Sequence, residues 1–414
     1  MENEDWKNWN QPKNQGPELP AEMVPKKKLT HQKVFSTVLC IALAGSLTVN
    51  FLQMGSGAGS SGSDYAKLHE LQRLIEKKYI GETDPASLED GAAAGMIEAM
   101  GDRWSYYIPA SQMEAHEEAM ANAYVGVGIT ILLEKKEDGF YIQQVNPNGP
   151  AHDAGILPGD ILVGVEGQTT EEMLSEDAKE LIRGPEGTSV NVTILRDGEK
   201  KDFTLERRTI EVDVAVGKMV TEDIGLVTIV NFDDRCAEEA IEAIEDLRSQ
   251  GAKKLIFDVR FNPGGYAHEL VKLLDYLLPE GDLFRTEDYA GRKQVDTSDA
   301  RYLDMPMAVL VNGDSYSAAE FFAAALMEYE AATIVGEKTT GKGRFQQTHH
   351  LKDGSAANIS VGNYYTPKGV SLDGVGITPD IEVKVEEETA MKIVSQTIEP
   401  EDDPQLQAAI KALQ

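Results

Sequence analysis

The rhythm of apolar and polar positions changes several times along this chain, and each change marks a boundary. Residues 1–33 are polar, carry prolines and show no apolar period, which predicts a disordered tail. Val34–Leu52 is a run of 19 residues without a charge, about the length of a bilayer-spanning helix. The Gly/Ser run 55–63 reads as a flexible linker. From Asp64 to about Met120 the apolar positions recur at helical spacing, in YAKLHELQRLIEKKYI, ASLEDGAAAGMIEAMG and ASQMEAHEEAM. The segment WSYYIP (104–109) interrupts that period with aromatics and a proline, predicting a packed turn.

At Tyr124 the period shortens. YVGVGITILLEKKEDGFYIQQV (124–145) alternates as two strands turning at Asp138-Gly139, PAHDAGI (150–156) is a short helix, and DILVGVEG (160–167) is a strand. EDAKELIRG (176–184) is helical again. TSVNVTILR (188–196) and KKDFTLERR (200–208) form a hairpin across Asp197-Gly198. A third region, about 209–386, alternates strands (224–232, 253–260, 307–313, 332–337) with helices (237–250, 269–278, 318–330), the signature of an α/β layer structure. A hairpin of RFQQTHHL and SAANISVGNYYT follows, and the last 28 residues read as an acidic, helix-prone surface appendage.

Charge narrows the function classes. With 39 basic against 70 acidic residues the net charge is −31, which disfavours nucleic acid and anionic headgroups as partners. Cys40 and Cys236 are unsuited to an intrachain disulfide, and the seven histidines are scattered. LHEL (68–71) and AHEL (267–270) lack the second histidine of a zinc-protease motif, so neither a metal nor a cofactor is expected. Lys26, Lys27, Lys28, His31 and Lys33 precede the apolar run. Positive charge stays cytoplasmic, so one N-terminal helix is expected to anchor the chain in a bacterial cell membrane, with everything beyond residue 55 outside. The 33 residues ahead of that run favour a retained anchor over a cleaved signal peptide.

The candidate chemistry lies in the third region. Ser317 stands where a small-residue turn becomes a helix, beside backbone N–H groups suited to an oxyanion. Ser317-Ala-Ala-Glu320 is also a capping box, which most often has a purely structural role. Lys342 sits between two glycines at the mouth of a strand, where a lysine can lose its charge and act as a base. Gly336 to Lys342 fits the start of a phosphate-binding loop, but Gly343 stands where Ser or Thr is needed and a strand follows where a helix is required. Gln346, four residues on along the strand, is expected to share a face with Lys342 and orient its amine. DVRFNPGG (258–265) ends a strand with glycines that let backbone approach a substrate.

The order and spacing of these segments resemble the carboxyl-terminal processing (tail-specific) proteases, serine peptidases with a Ser–Lys dyad. Ser315-Tyr-Ser-Ala-Ala-Glu320 aligns with that family's S-A-S-A-S-E, Thr339 to Gln346 with T-x-G-K-G-x-x-Q, and Asp258 to Gly265 with D-L-R-x-N-P-G-G. NYYTPKG (363–369) and GVGITPDIEV (374–383) look like its C-terminal signatures. The resemblance implies Ser317 as nucleophile, Lys342 as general base and Gln346 as its orienter, with the amides of Ala318 and Gly265 (or Gly264) forming the oxyanion hole. Tyr316 and Ala319 depart from the family's small residue and serine. The module at about 124–208 resembles a PDZ domain, in which Tyr124, Val125, Gly126, Val127, Gly128 and Ile129 are placed like the carboxylate-binding loop. Arg183, leaving a helix at a glycine-proline turn, is a candidate messenger between that module and the core.

The expected architecture is therefore α/β and multidomain. It comprises a cytoplasmic tail (1–33), an anchor (34–54), a linker (55–63), a helical lead-in (64–120), a β-rich PDZ domain (121–208), an α/β protease core with the catalytic lysine on a β-hairpin (209–386) and the acidic appendage (387–414). The expected partners are proteins or peptides with apolar C-termini, with oligomeric state left open. A non-catalytic PDZ scaffold and a nucleotide-binding protein are the rival classes.

Overall fold

A computed structural model describes residues 65–136, 139–395 and 397–414, so the tail at 1–33, the apolar run at 34–52, the linker and residues 137–138 of the expected turn lie outside the described residues. The chain divides into two compact units at Arg103/Trp104. In the first, helices α1 (Ala66–Lys78) and α2 (Pro85–Glu98) follow the predicted period. The α2 N-terminus is set by Pro85 at its first position and by the Asp84 carboxylate, which accepts the Ser87 N–H at 3.0 Å. Among the described residues no helix is long and apolar enough to cross a membrane.

The second unit begins with β1 (Tyr106–Ile108), so WSYYIP is a strand where a turn was expected, paired with the distant Ala356–Asn358. Helix α3 (Met113–Ala121) leads into β2 (Ala123–Gly126), β3 (Ile129–Lys136), β4 (Gly139–Val145), the one-turn α4 (Pro150–Asp153), β5 (Ile161–Val165), β6 (Gln168–Thr169), α5 (Ser175–Ile182), β7 (Ser189–Arg196), β8 (Glu199–Glu206) and β9 (Arg208–Glu211). Strands β3-β4-β5-β7-β8 form an antiparallel sheet with β6 on β5, and β3 lies at its edge. Phe140, Ile142, Leu162, Val190, Val192, Ile194 and Leu205 alternate into its core, capped by Ala178 and Ile182 of α5.

The way into and out of this module is a two-stranded ribbon of β2 and β9. Residues 231–235 clasp it. The Asn122 amide donates to Asn231 Oδ1 (3.1 Å) and Asp233 Oδ2 (2.9 Å), and Arg235 donates to the Val212 carbonyl (2.9 Å).

The rest of the unit is built on a six-stranded sheet. Its elements are β10 (Ala215–Met219), β11 (Ile224–Ile229), α6 (Cys236–Ser249), β12 (Lys254–Asp258), α7 (Ala267–Leu277), β13 (Gly281–Asp288), β14 (Lys293–Ser298), β15 (Met307–Val311), α8 (Ala318–Glu328), β16 (Ala332–Gly336), β17 (Arg344–His350), β18 (Ala356–Tyr365), β19 (Ile381–Glu382), α9 (Glu387–Val394) and α10 (Pro404–Ala412). The order is β10-β11-β12-β15-β16-β19, parallel except for β10. Successive residues of β12 and β15 face opposite sides. Leu255, Phe257, Val309 and Val311 enter the core with α6, α7 and α8, while Ile256, Ala308 and Leu310 pack on Leu406, Ala409 and Ile410 of α10. Sheets with buried faces on both sides need cover on both.

That cover corrects one expectation, because the C-terminal segment is no surface appendage. Helix α10 closes the second face, and Asp403 and Gln405 at its start receive the buried Arg260 guanidinium at 2.8–3.1 Å. Asp258 takes the other edge of the guanidinium at 2.6–2.9 Å. Asp403 also caps α10, accepting the N–H groups of Gln405 and Leu406.

A second, antiparallel sheet (β1-β18-β13-β14, with β17 on β18) packs on the far side of α8. Phe321 meets Phe284 and Tyr364 of that sheet at 5.3 and 5.6 Å between ring centroids. Its neighbour Phe322 meets Phe232 and Phe257 at 5.6 and 5.3 Å. Helix α8 is consequently buried from Ala318 to Leu326, which explains its all-round apolar sequence.

Asp403→Ala removes two bonds to the Arg260 guanidinium and the cap of α10 while Asp258 keeps the guanidinium paired, and is expected to lower the unfolding free energy by about 2–4 kcal/mol in urea titrations. A loss below about 1 kcal/mol would show that α10 is not an integral part of the core.

Candidate active site

Ser317 caps α8 at the end of a loop leaving β15, and its backbone is strained, with φ +58° and ψ −127°. The preceding loop is tied down residue by residue. The Ser315 hydroxyl donates to the Val259 carbonyl (2.7 Å), and the Tyr316 N–H donates to the Asn262 carbonyl (3.1 Å). Asn312 Oδ1 accepts the Phe261 N–H at 2.9 Å, so the loop after β12 and the loop after β15 hold each other. Ser317 is buried at the helix N-terminus, where the dipole and unpaired N–H groups favour developing negative charge.

The loop after β12 brings Asn262, Gly264 and Gly265 against this serine. A Cβ on Gly264 (φ +89°) would stand 2.7 Å from Ser317 Cβ and 2.9 Å from the Ala318 nitrogen. One on Gly265 (φ +149°) would stand 2.3 Å from the Phe232 carbonyl carbon. Only glycine fits either position. The two amides differ. The Gly264 N–H donates to Asn262 Oδ1 at 2.8 Å, so it is already engaged. The Gly265 and Ala318 N–H groups have no acceptor among the described residues. Of the glycines the sequence left open, Gly264 thus has a steric part and Gly265 keeps the free donor. Asn262, which sequence reasoning passed over, holds the turn through a second bond from its amide to the Ile229 carbonyl (2.8 Å).

Lys342 lies in the turn between β16 and β17. One buried side chain joins that turn to the serine. The Glu320 carboxylate accepts the N–H of Ser317 (3.0 Å), the N–H of Lys342 (2.8 Å), the N–H of Gly341 (2.7 Å) and the hydroxyl of Thr339 (2.6 Å). Burial pushes its carboxyl above the usual glutamate range, against these four donors, which favour the charged form. The capping box is formed, so its structural reading holds, and the same carboxylate reaches across to a second element. Sequence could show the box but not the reach. Thr339 is fixed in turn by exchange with Ile377, whose N–H donates to the Thr339 hydroxyl at 2.7 Å.

The lysine amine rests against two aromatic rings. Lys342 Nζ is 4.9 Å from the centroid of Trp104 and 5.6 Å from that of Tyr316, the residue next to Ser317. Trp104 carried no role in the sequence reading, where it was part of a packed turn.

The Gln346 amide NH2 donates to the Ser360 hydroxyl (3.0 Å) and the Arg344 carbonyl (3.2 Å). Lys342 precedes the strand, and a bulge between Phe345 and Gln346 shifts its register against β18. Arg183 reaches Glu118 on α3 at 3.5 Å.

In the β-rich module, Tyr124, Val125 and Gly126 pair with β9, and Val127 and Gly128 turn the chain into the edge strand β3 at Ile129. Ile129 and Ile131 of β3 and Leu181 of α5 lie half-buried around one apolar core. Among the described residues no cluster of side chains could hold a metal.

Comparison with known proteins defines a serine-type peptidase core joined to a PDZ domain. Residues 223–383 match the model described as peptidase family S41, residues 141–196 a PDZ domain, and residues 46–112 the activating protease CtpB N-terminal domain. The chain is 32% identical over 362 residues to the carboxy-terminal processing protease CtpA of Bacillus subtilis (strain 168), covering 85% of this chain and 77% of that one. It is 29% identical over 347 residues to a probable CtpA-like serine protease of Staphylococcus aureus (strain N315), covering 82% and 69%. A solved photosystem II D1 C-terminal processing protease is similar at 26% identity and a TM-score of 0.45, covering 76% of this chain and 86% of that one. The chain belongs to the carboxy-terminal processing proteases of peptidase family S41.

Four donors converge on Glu320, and a glutamine there would turn an NH2 towards some of them. Glu320→Gln is expected to cut kcat on a peptide substrate about 10²-fold by displacing the two turns, with KM less affected. It should also lower stability by about 1–3 kcal/mol for each donor left unpaired. Wild-type kcat in a folded Glu320→Gln enzyme would remove Glu320 from the positioning of the site.

Proposed function

We propose that the chain is a membrane-anchored serine endopeptidase that captures protein C-termini on its PDZ domain and cleaves peptide bonds with a Ser317–Lys342 dyad. The observation that carries this reading is the Glu320 carboxylate, which binds the backbone of both residues at 2.8–3.0 Å. Neutral Lys342 takes the Ser317 hydroxyl proton as Oγ attacks the substrate carbonyl carbon. The Gly265 and Ala318 N–H groups receive the resulting oxyanion. Collapse breaks the C–N bond, the leaving amine takes the proton from Lys342, and an acyl-enzyme ester remains. Water, deprotonated by Lys342, then releases the new C-terminus and restores the serine.

The edge position of β3 supports peptide capture, since an extended chain can add to an open edge as a further strand. The half-buried Ile129, Ile131 and Leu181 favour an apolar terminal side chain. The anchor rests on the sequence alone, on the uncharged run Val34–Leu52 and the lysines before it.

Ser317→Ala and Lys342→Ala are each expected to abolish cleavage of an unfolded protein substrate, with circular dichroism unchanged. Substrates ending in apolar residues should be cut faster than the same substrates with charged or amidated ends. Full activity in folded Lys342→Ala sinks the dyad, and equal rates for all ends sink the capture step. The orientation has its own measurement. Protease added to intact spheroplasts should digest the region beyond residue 64, and protection of that region would reverse the topology.

A further inference from the structure

We propose that Tyr316 and Trp104 are positioning residues that hold the Lys342 amine as a cation, and so set the pH at which it becomes a base. The inference deepens the Ser–Lys reading and rests on it. Both ring centroids lie within about 6 Å of Nζ, the range in which a ring's quadrupole attracts a cation. The rings are 5.7 Å apart with planes tilted by 31°, so they form one aromatic corner. The backbones carrying them are fixed. The Tyr316 N–H is bonded to Asn262, and Ser105, beside Trp104, accepts the Ser360 N–H through its hydroxyl at 3.0 Å. Tyr316 also stands where the family motif has a small residue, so half of this corner is a feature of the present chain.

The physics gives the direction. A ring face attracts an ammonium and has little hold on a neutral amine, so the corner favours the protonated lysine. Catalysis needs the neutral form, so the aromatic corner moves the onset of activity to higher pH. The ionisable groups around it are Asp314 and Glu320 on the serine loop and helix, Tyr106 on β1, and Arg344 and Asp373 beside the lysine turn. Burial, then Asp314 and Tyr106, raise the Tyr316 phenol above its ordinary value, which favours the neutral ring. The ring acts on Lys342 through its π face.

Simply deleting the ring would mix two effects, because water entering the space also favours the ammonium. Two volume-filling variants separate them. Tyr316→Phe keeps a ring face, whereas Tyr316→Leu keeps an apolar cover without one. The measurement is the basic-going limb of kcat/KM against pH for the full chain, on a quenched peptide with no group titrating in that range. Tyr316→Leu is expected to move the limb down by about one pH unit, equivalent to about 1.4 kcal/mol, and Tyr316→Phe to leave it in place. An unmoved limb in Tyr316→Leu, or an equal shift in Tyr316→Phe, would overturn the proposal. If thermal melting shows Tyr316→Leu unfolded, Trp104→Leu takes its place with the same readings. Lys342→Ala in the same assay separates the two ideas: activity there removes the dyad itself, while an inactive Lys342→Ala beside an unmoved Tyr316→Leu limb removes only the aromatic corner.

Discussion

A single buried carboxylate organises the centre of this protein. Glu320 is fully buried and accepts four hydrogen bonds, from Ser317 at the start of its own helix and from Thr339, Gly341 and Lys342 on the next turn. A buried carboxylate without partners would be costly. Here each donor is a group that would itself be unsatisfied if Glu320 were absent. The serine turn and the lysine turn therefore cannot move apart without exposing several polar groups to an apolar interior.

The surroundings of α8 make that constraint rigid. The helix lies between the six-stranded sheet and the antiparallel sheet, held by Phe322 on one side and Phe321 on the other. Its N-terminus is fixed in position, and the strained φ of Ser317 persists because the loops around it leave no relaxed alternative. The glycine turn reaches the same point from β12, through Asn262 and the bridge between Phe232 and Gly265. Phe232 sits within the segment that clasps the PDZ ribbon through Asn231, Asp233 and Arg235. One short stretch of chain thus touches both the stalk of the binding module and the glycines beside Ser317.

Much of this was legible in the sequence because it depends on local rules. Period-2 and period-3.6 patterns marked the strands and helices of the core, the Asp197-Gly198 hairpin formed between β7 and β8, and the motifs around Ser317, Lys342 and Gly264-Gly265 named the segments that meet. Where expectation failed, a non-local interaction had overridden a local one. The acidic C-terminus became the cover of a sheet face through Leu406 and Ile410. WSYYIP became a strand because β18 offered it an edge.

The sequence by itself determined which chemical groups are present and which element carries each of them, since propensity, periodicity and motif spacing act over a few residues. Tertiary structure alone decided who meets whom. Glu320 reads as a helix cap until the lysine turn, about twenty residues on, is folded against it. Trp104 reads as turn filler until the chain brings Lys342 onto its face. Hydrogen-bond partners and ring contacts separated by tens or hundreds of residues depend on how whole layers pack, and no local pattern in the chain encodes that distance.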